Sequence, residues 1–584
     1  MKDKTIIKRL FAYLKPHKKT FIIVIILTAL TVICAQLPTL LLGFVINELG
    51  SSSIDLRMIA LIVSGAGLLF IGTTIIQYEQ TIMLQKCGQR IILDIREVVF
   101  KKIEEFDIEQ FNKEPIGKLV TRATSDVNTL NDMFTNVAIN FIRQILTLLI
   151  IYGIMLWINI KLALIILAIC PVIVIATIIF RRFSRNAHRS VRTNVSNMNA
   201  FLSENISGVS ITQAFNQEEK IYNNFSKNNE DLKRSSLKEI IVFAIFRPFI
   251  YVIYISSVIL ILYYGAQEVM SGVLSFGLLI SFYQYISEFF NPIQQLADNF
   301  NTLQQGLASS EKIFDILDRE NVIVDAPDAI ELENIKGEIE FKDVWFKYKE
   351  DEWILKGVSF KVMPKETVAF VGATGAGKTT ILSLIVRNYE ISKGQILIDG
   401  IDIKKIKISS LRRFIGQMLQ DVFLFSGDIN SNIRLRDETI SDDDIIEASK
   451  YVNADKFILK LDDKYETKVK EGGNNFSSGE RQLLSFARTI VHKPSIMILD
   501  EATANIDTET EILIQKSLES MMNISTMLIV AHRLSTIQHA DKIIVLQKGV
   551  IIESGNHQEL LKQKGHYYKL YKLQFNEKEN NNEI

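Results

Sequence analysis

Hydrophobic residues are unevenly spread along this chain. Over its first half they collect into runs nearly free of charge, at residues 21–45, 58–76, 139–158, 162–180, 241–267 and 275–296. Each run approaches the ~20 residues that a helix needs to cross ~30 Å of hydrocarbon, and a helix satisfies its own backbone polar groups in lipid. The pattern predicts six membrane-spanning helices. The first run exceeds the ~7–15-residue core of a signal peptide and lacks a small-residue cleavage pattern, so it reads as a retained span. Long connections with helical periodicity follow runs two and four, so spans two to five are expected to continue as helices beyond the bilayer.

Lys and Arg orient these spans. Lys8, Arg9, Lys15, Lys18 and Lys19 precede the first run, Arg90, Arg96, Lys101 and Lys102 lie in one long connection, and Arg182, Arg185 and Arg189 in the other. The short connection near residues 51–55 has none. Positive charge stays on the cytoplasmic side, so the termini and both long connections are expected inside. The stretch at 1–20 contains an amphipathic helix expected to lie on the inner face.

Beyond residue 306 the pattern changes to short apolar runs of strand length alternating with helical ones. The expected organisation is an amphipathic helix at 1–20, a helical transmembrane domain at 21–310, a linker at 311–336, an α/β domain at 337–573 and a disordered Asn/Glu-rich tail at 574–584. Composition narrows the partners. The 66 basic and 66 acidic residues cancel, leaving no global basic field to hold nucleic acid. Cys34, Cys87 and Cys170 are too few and too scattered for a disulfide frame or a metal cluster, and read as packing residues.

The chemistry sits in the second half. An apolar strand at 367–371 runs into Gly372, Ala373, Thr374, Gly375, Ala376, Gly377, Lys378, Thr379 and Thr380, which fits G-x-x-x-x-G-K-[ST] ahead of a helical pattern. Gly372, Gly375 and Gly377 let the backbone wrap a polyphosphate, Lys378 can reach its β- and γ-phosphates, and the Thr379 hydroxyl can ligate Mg²⁺. A second apolar strand ends in Asp500, suited to hold the metal through water. Glu501 follows, placed to polarise the attacking water as general base.

The segment Asn475-Phe-Ser-Ser-Gly-Glu-Arg-Gln-Leu-Leu484, just upstream of the Asp500 strand, resembles the signature sequence of ATP-binding cassette (ABC) proteins. The resemblance covers nearly the whole chain. It implies that Tyr348 stacks on adenine, that Gln420 reaches Mg²⁺ or the lytic water, that Asp507 is the D-loop aspartate, and that His532 donates to the γ-phosphate. It also implies that Ser477 and Gly479 contact ATP held by an opposite subunit, so that one chain makes half of each site. Glu471-Gly-Gly473 resembles the X-loop, and stretches near 109–121 and 203–215 match the family's coupling helices.

With six spans ahead of the nucleotide domain, the chain is similar to bacterial ABC exporter half-transporters of the multidrug type. Ser478 and Glu480 stand where the family usually has glycine and glutamine, and Ala504-Asn-Ile-Asp507 replaces the common Ser-Ala-Leu-Asp. The hydrolytic residues are all present, as in the complete member of a heterodimeric pair. A heterodimer is expected, and a homodimer is permitted. The function implied is ATP-driven export of small amphipathic compounds. Flipping of lipid, export of peptide, and an ATP-gated channel or sensor without pumping are the alternatives. Gln36, Gln77, Glu79, Tyr283, Tyr285, Glu288, Phe289 and Asn291 are the residues inside spans that bear on cargo. A carboxylate at mid-membrane costs roughly 3 kcal/mol, so Glu288 should face the helix bundle or water.

Overall fold

The computed structural model describes residues 3–572, apart from 52–53, 351, 436, 501–507, 523 and 531–536. The chain divides into two compact units. One comprises Met1–Glu104 and Ile116–Arg319, the other Glu105–Pro115 and Glu320–Ile584.

The first unit is helical: α1 (Asp3–Leu14), α2 (Lys18–Leu49) and α3 (Leu56–Glu104) precede the break at 105–115, which holds α4 (Ile108–Lys113). Then follow α5 (Ile116–Ile158), interrupted by two π-type turns, α6 (Ile160–Ser207), the short α7 (Val209–Ala214), α8 (Glu218–Met270) and α9 (Phe276–Leu317). At 1.5 Å per residue the 49 residues of α3 reach about 73 Å, more than twice the hydrocarbon thickness. The helices that carry runs two to five, α3, α5, α6 and α8, hold 49, 43, 48 and 53 residues, each longer than crossing the hydrocarbon requires.

Among the described residues, five stretches are long and apolar enough to cross a membrane: Ile6–Leu49, Leu56–Glu104, Ile116–Ile158, Ile160–Ser207 and Glu218–Met270. The expected sixth span forms the start of α9. There Ser281, Gln284, Ser287, Glu288 and Asn291 dilute its apolar character.

Two of those polar groups, Ser281 and Glu288, are spent on α2, together with the Tyr285 hydroxyl. Ser281 Oγ donates to Thr39 O (2.8 Å), Tyr285 Oη to Gln36 O (2.7 Å) and Thr39 Oγ1 to Glu288 Oε1 (3.2 Å). Without water to compete, such bonds hold helices together where apolar packing against lipid gives no preference. Small residues allow the approach: a Cβ on Gly277 would lie 1.9 Å from Gly43 O. Glu288 thus faces a neighbouring helix, as its cost in lipid demands. The amphipathic helix α1 buries Ile6, Leu10 and Leu14 in a cluster with Ile91, Ile95 and Phe314. Its apolar stripe is used against the protein's own helices, and Arg9 forks onto Asp318 at 2.6 and 2.8 Å.

The second unit is α/β. An antiparallel sheet runs β2-β1-β4-β5, from β1 (Ile339–Lys349), β2 (Glu352–Val362), β4 (Lys393–Ile398) and β5 (Ile401–Asp402). β7 (Gly427–Asp428) and β8 (Lys468–Val469) form a separate pair, and the six-stranded sheet has the order β12-β11-β3-β10-β9-β6. Its members are β3 (Thr367–Val371), β6 (Ile415–Met418), β9 (Ile496–Asp500), β10 (Thr526–Val530), β11 (Lys542–Gln547) and β12 (Val550–Gly555), and β12 alone is antiparallel. Successive residues of its central strands feed two cores: Ala369, Met497 and Ile529 one, Phe370, Ile498 and Val530 the other. Burial on both faces explains why these strands read as unbroken apolar runs.

Candidate nucleotide site

Register builds the site. Val530 of β10 pairs with Phe370 of β3 on one side and Asp500 of β9 on the other, while Met418 of β6 pairs with Leu499. The carboxyl ends of four parallel strands therefore lie in one row, the edge at which open α/β sheets bind ligands. The phosphate-loop glycines, Gln420 and Asp500 all follow or close those strand ends. Glu501 comes directly after Asp500, and His532 comes two positions after Val530. Glu501, Asp507 and His532 lie outside the described residues.

The loop between β3 and α10 (Lys378–Ile385) has left-handed backbone at Gly375 (φ 82°) and Gly377 (φ 103°), the second capping α10. A side chain at Gly377 would also press within 2.7 Å of Leu355 Cδ2. Glycine is the residue that takes this turn without strain. The Lys378 ammonium is folded over the loop, donating to Gly372 O (2.7 Å) and Ala373 O (3.2 Å). At 6% exposure, burial pulls its pKa below the ordinary lysine value, against the pull of Asp500. Thr379 is exposed beside it, and Thr380 is buried. Thr379, Asp500 and Gln420 offer oxygen donors of the kind Mg²⁺ prefers.

Tyr348, on β1, is 48% exposed, with its hydroxyl 3.2 Å from Thr380 Oγ1. Two rings that carry no recognisable motif support it edge-on. The Phe346 ring lies 4.8 Å away at 88°, and the Tyr389 ring 5.1 Å away at 84°. Tyr389 sits just past α10, and its hydroxyl accepts from Asn112 Nδ2 at 2.9 Å. That 277-residue separation hides the pair from any local pattern.

Ser477 caps α11 (Ser478–Val491) in a reciprocal box with Glu480, and Gly479 is buried in the first turn. The atypical Glu480 is therefore a capping residue, legible as S-x-x-E. Gly472 (φ 69°) and Gly473 (φ 72°) shape the turn at Glu471–Gly473, and Arg481 Nη1 clasps Phe476 O at 2.7 Å behind it.

The segment 105–115 is bonded into this unit. Asp107 Oδ2 accepts from the backbone of Val322 (2.6 Å) and Ile323 (3.2 Å), and Gln110 Nε2 donates to Glu320 O (2.9 Å).

A phosphate-cradling α/β unit on a chain with several long apolar helices defines an ATP-driven membrane transporter. Comparison agrees: residues 21–293 match the family described as ABC transporter transmembrane region, and residues 355–504 that described as ABC transporter. This chain belongs to the ABC transporters. It is a multi-pass membrane protein of exporter type that binds ATP and couples its hydrolysis to transport. It is similar to an ABC transporter ATP-binding protein, YknV, of Bacillus subtilis, 38% identical over 571 residues, or 97% of this chain and 94% of that one. It is 37% identical over 533 residues to the probable multidrug resistance ABC transporter ATP-binding/permease protein YheH of the same organism, covering 90% of this chain and 78% of that one. An ATP-dependent lipid A-core flippase of Syntrophus aciditrophicus is 36% identical over 500 residues, covering 86% and 83%.

Proposed function

We propose that this chain is one half of a dimeric exporter that drives small amphipathic or hydrophobic compounds out of the cell. The alignment of strand ends at Val530, Phe370 and Asp500 carries the ATPase part of this reading. Tyr348, half-exposed, receives adenine on its ring. The amides of 372–377 and the α10 amino end hold the phosphates and Lys378 faces the terminal ones, while Thr379, Gln420 and Asp500 would hold Mg²⁺, which when bound would supply positive charge against the phosphate oxygens. Glu501 takes a proton from water as its oxygen attacks the γ-phosphorus. The bond to the bridging oxygen breaks, giving ADP and phosphate, while His532 donates to the γ-phosphate oxygens.

Ser477 and Gly479 face ATP held by a second chain, as Asp507 does across the same seam. Six spans cross the membrane, with both termini and the ATP unit cytoplasmic. The intact hydrolytic set beside the altered Ser478 and Glu480 favours a non-identical partner. The tip of the second long loop leaves Ile206, Ile211 and Phe215 exposed, apolar residues suited to a partner's nucleotide unit.

The multidrug name borne by YheH supports small-molecule cargo. The flippase relative at similar identity supports a second reading, in which the cargo is a lipid. The test is ATPase activity in lipid nanodiscs, for the chain alone and with candidate partner chains, against a panel of dyes, drugs and lipids. Stimulation by dyes and drugs supports the first reading, and stimulation by lipids alone supports the second. ATP turnover with no cargo movement in inside-out vesicles sinks both.

A further inference from the structure

Four side chains form an unbroken path inside the second unit. Thr380 of the phosphate loop meets the Tyr348 hydroxyl at 3.2 Å, the Tyr348 ring meets Tyr389 edge-on at 5.1 Å, and the Tyr389 hydroxyl accepts from Asn112 at 2.9 Å. One end is the phosphate loop, next to the ring assigned to adenine, and the other is α4. Every link is directional: a perpendicular ring pair and a hydrogen bond each weaken when a ring turns.

Tyr389 is held so that its ring, and not its backbone, takes up movement. It follows Arg387, a buried residue with left-handed backbone (φ 54°) whose guanidinium bonds Ile403 O, Ile406 O and Val324 O. That clamp fixes the turn after α10. The Tyr389 ring is half-buried, and burial with the adjoining Tyr348 raises its pKa, so the phenol stays neutral and available for hydrogen bonding near neutral pH. Asn112, in contrast, is exposed. Its amide chooses between the Tyr389 oxygen and water, so this link forms or breaks with small displacements of the ring.

We propose that Tyr389 is a positioning residue that reports adenine occupancy of Tyr348 to the segment 105–115 through its hydrogen bond with Asn112. The proposal rests on the assignment of Tyr348 as the adenine platform. A base stacked on Tyr348 fixes that ring. The edge contact then holds Tyr389 in place, and Asn112 is retained in preference to water. When the base leaves, the rings relax and α4 loses its tie. Hydrolysis residues play no part in this step, so nucleotide binding alone operates it.

Hydrogen exchange of the full-length protein in lipid nanodiscs, with and without ATP, tests the path. ATP should slow exchange both at 372–380 and at 105–115, the latter about threefold or more, as expected for one hydrogen bond gained. In Tyr389→Phe, which keeps the ring, and in Asn112→Ala, protection at 372–380 should persist and protection at 105–115 should vanish. Asn112→Asp, whose carboxylate accepts from the Tyr389 hydroxyl, should restore it. The relay is overturned if 105–115 stays protected in Tyr389→Phe, if Asn112→Asp fails to rescue, if the wild type protects 372–380 alone, or if Tyr389→Phe loses both signals. No protection at 372–380 in the wild type would remove the nucleotide assignment and the relay together.

Discussion

Ser477 and Glu480 hold each other at the start of α11: the Glu480 carboxylate accepts from the Ser477 backbone N–H at 2.8 Å, and the Ser477 hydroxyl accepts from the Glu480 N–H at 3.2 Å. Removing the carboxylate leaves one amide of the helix start without its partner, at a cost of about 1 kcal/mol. Glu480→Ala should lower the unfolding temperature by roughly 2–4 °C, whereas Glu480→Gln, which can close the same box, should not. Thermal unfolding of the two variants in parallel decides the point. An equal loss in both would mean that charge, and not the cap, is what Glu480 supplies.

Glu501→Gln should bind ATP normally, turn it over at a small fraction of the wild-type rate and accumulate closed dimers. Phosphate release measures the turnover, and size analysis in the presence of ATP measures the dimers. A wild-type rate from this variant would move the general base elsewhere.

Lys378 gives a pH prediction with a definite sign. Its buried ammonium loses a proton more readily than an ordinary lysine, whereas phosphate pairs with the charged form. As pH rises through the lowered value, ATP binding must take up a proton and affinity falls, by at most about tenfold per pH unit. Without ATP the trend reverses: the cost of burying the ammonium, present below the lowered value, is relieved as pH rises, so stability gains on the alkaline side. Equilibrium binding of a fluorescent ATP analogue should show the fall setting in below pH 10.5. Lys378→Arg should abolish it, and Lys378→Ala should weaken binding at every pH.

A methyl group at Gly377 meets two obstacles, a left-handed φ of 103° and Leu355 Cδ2 at 2.7 Å. Leu355 is wholly buried, so it has no free space into which to swing. Gly377→Ala should destabilise the unit by about 1–3 kcal/mol and lower ATP affinity as the loop reshapes. Calorimetric unfolding with ATP titration checks both effects, and unchanged melting would show that the turn adapts.

Legibility in the sequence followed the range of the interaction. The phosphate loop could be read because its glycines, Lys378 and a buried strand are contiguous, and Asp500 because it ends an apolar run. Helix-forming spans showed themselves through charge-free length. The start of α9 matched less well because it carries polar residues such as Ser281 and Glu288, which with Tyr285 are bonded to Thr39 and Gln36 of α2, a pairing over some 250 positions that no local window registers. Tyr389, Phe346 and Asn112 were invisible for the same reason. Glu480 stood out as a departure from the family pattern, yet its spacing from Ser477 already spelled the cap.

The eleven residues Glu105–Pro115 belong to the second unit, although the chain leaves and re-enters the first on either side of them. A ribosome therefore releases this piece long before the body that receives it exists. The hydrogen bonds offered by Asp107, Gln110 and Asn112 must wait for Glu320, Val322 and Tyr389 to be synthesised, so biogenesis of the two units is interlocked. A gene fragment starting at Glu320 would encode a nucleotide unit with a docking notch left bare.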